Sequence, residues 1–271
     1  MMKNLFQRRK DKIKDYRIGE ENVNFQGCLM KISKYNSAGD IYVEFQDNYK
    51  SVIHAAYREF KNGKIKNPYY PDVYNVGVIG LKYKAFENSK DVREYKIWHS
   101  ILQRCYDTKI QTRQPTYAGC FVSERWKFYE NFYEWVHEQN NYEKWNKNEI
   151  RWSLDKDIIF KGNKMYSSDT CCLIPEYVNV LFTKRQNDRG KYPIGVYYYK
   201  AGNCFRAQCM NPILSKRVLI GSYTNPIDAF YAYKEYKENL IKSIAKIEFQ
   251  NKNIIEQCFY AMMNYKVEIT D

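Results

Sequence analysis

The 271-residue chain has only three histidines, and it has no Cys-x-x-Cys pair. It also lacks any apolar run approaching the roughly 18 residues that suggest a membrane span, so no membrane partner is expected. The opening MMKNLFQRRKDKIKDYR is basic with no apolar core behind it. It does not read as a secretory signal, but as a solvated arm or the start of a helix. With no secretion signal, the eight cysteines, at positions 28, 105, 120, 171, 172, 204, 209 and 258, are expected to be free thiols in a reducing cytoplasm. Zinc held by Cys105, Cys120 and Cys171 or Cys172 is the one grouping to consider, and the spacing gives it little support. Internal repeats are absent. The glycine-punctuated NVGVIG at 75–80 lacks the spacing and helix context of a phosphate loop and is expected to be a structural strand.

What the chain does have is positive charge. Lys and Arg number 44 against 31 Asp and Glu, a formal charge of +13, which creates a field attractive to polyanions. Joint enrichment in Lys, Asn, Tyr and Ile also fits a genome poor in G and C, and an acidic protein surface is the other partner such a charge suits. Aromatic residues make up 17% of the chain, most at helical or alternating spacing, so core packing and interfaces account for them before base stacking does.

Periodicity predicts an α+β, multi-domain protein. Residues 1–86 read as a small β-rich domain. Its strands are Cys28–Tyr35 and Asp40–Phe45, joined by Asn36-Ser37-Ala38-Gly39. Residues 87–189 begin with helices. Val92, Tyr95, Trp98, Ile101, Leu102 and Cys105 share one helical face, and Ser123 is placed to cap a helix over Glu124–Gln139 with Trp126, Tyr129, Tyr133 and Val136 inward. A strand over Trp152–Phe160, a turn over Lys161–Lys164, a returning strand or loop over Tyr166–Ile174 and a helix over Glu176–Lys184 opened by Pro175 follow. Residues 190–248 predict three antiparallel strands (GVYYYK, CFRAQCM, KRVLIGSY) and a helix capped by Asn225 with Pro226 at its first position. In that helix Ala229, Phe230, Tyr233, Leu240, Ile241 and Ile244 form the inward stripe. Residues 249–271 are expected to hold a last helix, Ile254–Asn264, and a tail.

The stretch IGVYYYKAGNCFRAQC followed by VLIGSYTNPIDAFYAY resembles the APETALA/ethylene-response type of DNA-binding domain, which is also found appended to phage and mobile-element HNH endonucleases. The resemblance covers about 55 residues and implies a duplex-DNA partner. Alternation then turns Val196, Phe205, Ala207, Cys209 and Val218 toward the helix and Tyr197, Tyr199, Arg206, Gln208 and Arg217 toward the DNA. Arg can bind guanine bidentately and Gln can pair with adenine. Plant members carry more Arg and Trp on this face than the present chain does.

The central block resembles phage proteins of the HNH-like type through YKIWHSILQRCYD, GCFVSERWKFYENFYEW, LDKDI, GNKMYSSDTC and PEYVNVLF. That resemblance implies a nuclease finger with Asp155, Lys156 and Asp157 in the catalytic positions and Asp155, Asp157, Asn163 and Asn179 as oxygen ligands for Mg²⁺. A histidine normally follows the first Asp and takes a proton from water; here Lys156 stands in its place. The flanking Asp155 and Asp157 are expected to keep Lys156 charged. His54, His99 and His137 lie elsewhere in sequence. A structural turn, with Asp157 and Asn163 capping backbone groups, is the competing reading. Two functions remain open. One is a phage DNA-binding protein on a weakened or inactive HNH-like scaffold, a metal-dependent endonuclease if active. The other is a phage inhibitor that binds a host defence complex. Oligomer formation is compatible with either.

Overall fold

The computed structural model describes residues 16–147, 150–183 and 191–271. The N-terminal arm up to residue 15 and the expected helix end at Lys184 lie outside the described residues. The fold is mixed α+β with several small sheets. Among the described residues no helix is long and apolar enough to cross a membrane.

The chain divides into two compact units, 1–103 with 127–130, and 104–126 with 131–271. In the first unit, β1 (Glu21–Val23), β2 (Leu29–Ser37), β3 (Asp40–Phe45) and β4 (Val52–Ala55) form an antiparallel sheet in sequence order. β3 shows the alternation of a half-buried strand: Ile41, Val43 and Phe45 are fully buried, while Tyr42 and Glu44 are half-buried. α1 (Tyr57–Lys61) places Phe60 in the same core. NVGVIG is not a strand. It contributes isolated bridges, Val73 with Gly77 and Val78 with Phe128, because Val78 exchanges hydrogen bonds with the backbone of Lys127 and Tyr129 and finds no continuous ladder. β5 (Phe86–Glu87) and β6 (Lys90–Asp91) make a small hairpin ahead of α2 (Arg93–Tyr106).

In the second unit, α3 (Thr108–Arg113) is capped by Asp107, and β7 (Phe121–Val122) pairs in parallel with β9 (Met165–Tyr166). The helix expected over Glu124–Gln139 is interrupted. A 3-10 turn at Arg125–Lys127 is followed by α4 (Tyr129–His137). The break shifts the helical phase. Phe132 and Trp135 become buried, while Tyr133 is half-buried and stacks on His137 with centroids 4.0 Å apart. After α5 (Tyr142–Lys147), β8 (Trp152–Asp155) pairs antiparallel with β10 (Cys172–Pro175), which leads into α6 (Glu176–Val180). Pro175 is the residue preceding that helix, not its first.

The C-terminal sheet orders β11 (Val196–Tyr199), β12 (Cys204–Asn211) and β13 (Lys216–Tyr223) antiparallel, with α7 (Pro226–Gln250) against one face. The Asn225 side chain accepts from the N–H groups of Ile227 and Asp228 at 2.9 Å, satisfying two donors that a helix start leaves open. Ala229, Phe230, Tyr233, Leu240, Ile241 and Ile244 are buried as the stripe predicts. Gly195 is required here. Its φ is +77°, and a Cβ would fall 2.1 Å from the Tyr233 ring. α8 (Glu256–Met263) completes the unit. Ile158, Cys172 and Val178 share one continuous buried cluster with Ala207, Phe230 and Cys258. Residues on either side of 189/190 thus contribute to one buried cluster.

Candidate functional site

Two clusters carry the residues singled out in the sequence. The first is the finger formed by β8, its loop, β10 and α6. Asp155 closes β8. Its Oδ1 accepts from the backbone N–H of Asp157 and of Ile158, both at 2.7 Å, so the side chain ends the strand by capturing the donors that would continue it. The strand expected to reach Phe160 stops here for that reason. Burial pushes the Asp155 carboxyl above its usual pKa despite these two bonds.

Lys156 is 7% exposed. Its Nζ lies 2.8 Å from both carboxylate oxygens of Asp157 and 2.5 Å from the carbonyl oxygen of Asn163. Asn163 is spent on the loop as well. Its Nδ2 donates to the carbonyls of Lys156 and Met165, and its Oδ1 accepts from the Met165 N–H. Thr170 adds a bond to the Met165 carbonyl at 2.8 Å. Asn179 lies half-buried on α6, and among the described residues no hydrogen bond joins it to Asp155, Asp157 or Asn163.

Asp155, Lys156, Asp157 and Asn163 are thus brought into one loop, whereas Asn179 is not joined to them. As arranged they do not fit a divalent cation. Asp157 is neutralised by Lys156, one oxygen of Asp155 holds two amides, and the Asn163 amide is consumed. Among the described residues no group of three or more His, Cys, Asp or Glu side chains is gathered for a metal. The three histidines each have neighbours of their own. His54 Nε2 is 3.0 Å from Asp40, His99 contacts the rings of Tyr74 and Tyr95, and His137 lies between Tyr133 and Tyr142. Burial raises the Cys105 and Cys171 thiols to about 12, so as they stand both are protonated near neutrality.

The second cluster is the outer face of the C-terminal sheet. Register sets Tyr197 opposite Arg206 and Arg206 opposite Ser222, a row across all three strands. Arg217 faces Met210, and Gln208 faces Leu219. The register shifts between Ala207 and Gln208, so β13 carries one extra residue there. This keeps Arg217, Leu219 and Ser222 on the outer side while Ala207 and Cys209 are buried against α7. All five residues expected to face DNA, Tyr197, Tyr199, Arg206, Gln208 and Arg217, therefore share one face.

Arg206 organises that face. Its guanidinium carbon lies 3.4 Å from the centroid of the Tyr199 ring. A hydrogen bond with Tyr197 holds its pKa above the usual value. Its Nε has no hydrogen-bond partner among the described residues. That atom is shielded from solvent, and a planar cation stacked on one tyrosine and tethered by another is fixed in place. Sequence reasoning missed Met210 and Leu219 on this face; the alternation of β12 and β13 carried the signal. It also missed Glu238, whose carboxylate binds Lys234, Lys266 and the Val267 N–H and so ties α7 to the tail.

No protein-family model matches the chain, and comparison with curated proteins and with solved structures finds no match either.

Proposed function

We propose that the chain is a duplex-DNA-binding protein. The outer face of β11–β13 contacts the DNA, and the β8–β10–α6 finger serves as a nuclease-like scaffold with weak or no hydrolytic activity. The observation that carries this reading is the Tyr197–Tyr199–Arg206 constellation, which holds a charged guanidinium in a fixed place on the outer face of the sheet. A sheet with Arg and Gln on one face and a helix behind it can enter a major groove and meet base edges there. The net charge of +13 supplies the salt-dependent attraction to phosphates. On the finger, Lys156 is committed to Asp157 and Asn163, leaving no free base beside Asp155.

The test is duplex binding by the full chain across a salt series, compared with Arg206→Ala and Arg217→Ala. Affinity that falls steeply with salt and is weakened by either substitution supports the reading. Weak, salt-insensitive binding, together with a single stoichiometric protein partner recovered from host lysate, would favour inhibition of a host defence complex instead.

A further inference from the structure

The outer sheet face is not uniformly polar. Toward the β12–β13 hairpin, Leu219 is 52% exposed opposite Gln208, and Met210 is 43% exposed opposite Arg217. Beyond them the hairpin loop presents Ile213 and Leu214, each more than half exposed. The loop is held firmly. Asn211, itself buried, accepts from the N–H groups of Ile213 and Leu214 at 3.0 and 3.1 Å and donates to the Tyr236 hydroxyl at 3.2 Å. Two aliphatic side chains are thus displayed in solvent from a fixed turn, next to two more on the sheet.

Resting on the duplex-binding reading above, we infer that this apolar end of the sheet reads the C5-methyl groups of pyrimidines, the thymine methyl first of all. The major groove presents hydrogen-bond donors, acceptors and, at thymine, one apolar group. An aliphatic side chain pressed against a base edge without a methyl desolvates polar atoms and returns nothing for it. Leu219 and Met210 alternate with Gln208 and Arg217, as methyl groups and hydrogen-bonding edges alternate along a groove. Charge complementarity selects the partner: Lys216 and Arg217 open the same strand, and Arg206 sits on the same face, so a polyanion fits where a lipid core or an apolar protein patch does not.

The test uses the full chain and a random-sequence duplex pool enriched on it, then resynthesised with either dTTP or dUTP. The two versions differ only in C5-methyl groups. Wild type is expected to prefer the thymine version by about fourfold for each methyl it buries. Leu219→Thr combined with Met210→Thr, both exposed positions, narrows that preference toward one, as does Ile213→Ser with Leu214→Ser. Arg217→Ala weakens both versions alike. Tight, salt-dependent binding with equal affinity for both versions overturns the methyl inference and leaves the duplex reading standing. A preference that persists unchanged in the apolar variants overturns the assignment to these residues. Failure to enrich any duplex, or to bind one in a salt-dependent way, overturns both.

Discussion

Lys156 Nζ lies 2.8 Å from each carboxylate oxygen of Asp157, its neighbour in sequence, and the pair closes the loop that follows β8. The ammonium is nearly sequestered, while the carboxylate is half exposed. The pair is therefore worth less than a fully buried one but more than a surface contact. Lys156→Met leaves Asp157 and the Asn163 carbonyl without their shared donor. We expect it to cost about 2 kcal/mol, read as a thermal midpoint lowered by several degrees. Plasmid incubated with Mg²⁺ or Mn²⁺ is expected to stay supercoiled with wild type and with Asp155→Ala alike. Vigorous scission by wild type, lost in Lys156→Met, would show that the lysine is a working base.

Two carboxylates are expected to give opposite pH signatures. Asp155 has its pKa raised by burial, so its protonated form is favoured on folding. The stability this contributes is fully present below the ordinary carboxylate value of about 4 and is lost as pH rises through the folded value. Asp155→Asn keeps an oxygen for the Asp157 and Ile158 amides and removes the ionisation. The variant should match wild type at low pH and gain on it as pH rises toward neutrality. Burial also acts to raise Glu238, but its bonds to Val267, Lys234 and Lys266 outweigh this and lower its pKa. Its contribution is present above the ordinary value and disappears as pH falls through the folded one. Glu238→Gln should therefore be less stable than wild type at neutral pH, the difference closing in acid. Thermal midpoints of the three proteins between about pH 3 and pH 7 would decide both signs.

Arg206 is stacked as well as charged, so its replacement by Lys is not conservative. Arg206→Lys keeps the formal charge and loses the planar fork over Tyr199. We expect duplex affinity to fall by about tenfold with little change in the salt slope. Arg206→Ala should lower both. Equal affinity for wild type and Arg206→Lys would reduce this residue to a general phosphate contact.

Gly195 is the position where a methyl group should do the most harm in the C-terminal sheet. A Cβ would meet the Tyr233 ring at 2.1 Å, and the backbone φ of +77° disfavours any side chain. Gly195→Ala is expected to destabilise by about 2–3 kcal/mol and to reduce soluble yield, visible as a lower denaturant midpoint.

How far these features could be read in advance depended on whether local chemistry fixed them. The Asn225 cap, Pro226 at the first position of α7 and the bounds of β13 follow from short-range hydrogen bonding and alternation, and they stand as expected. β8 ends at Asp155 and not at Phe160 because one side chain captures two amides, a competition that apolar spacing does not register. The helix expected from Ser123 is broken because the Val78 backbone, some fifty residues earlier, bonds to Lys127 and Tyr129. A partner so distant leaves no periodic trace. The outer sheet face was legible as five residues; Met210 and Leu219 follow from the same alternation as Gln208 and Arg217, whereas the extra residue in β13, beside Leu219, appears only in the pairing.

The cysteines give a direct report on where DNA lies. All eight are free; six are buried, and only Cys28 and Cys204 are partly exposed. A water-soluble thiol reagent should modify those two in the native protein and the remaining six only after unfolding. Cys204 pairs with Tyr199 and so lies on the outer sheet face, whereas Cys28 belongs to the β1–β4 unit. If the duplex rests on the outer face, saturating DNA slows modification of Cys204 several-fold and leaves Cys28 unchanged, and added salt restores the rate as the complex dissociates. Because the readout is a rate at a named atom, it separates a duplex seated on this sheet from one held by charge elsewhere. In the second case both thiols react at their free rates while binding is saturated, and the sheet is not the DNA-contacting surface.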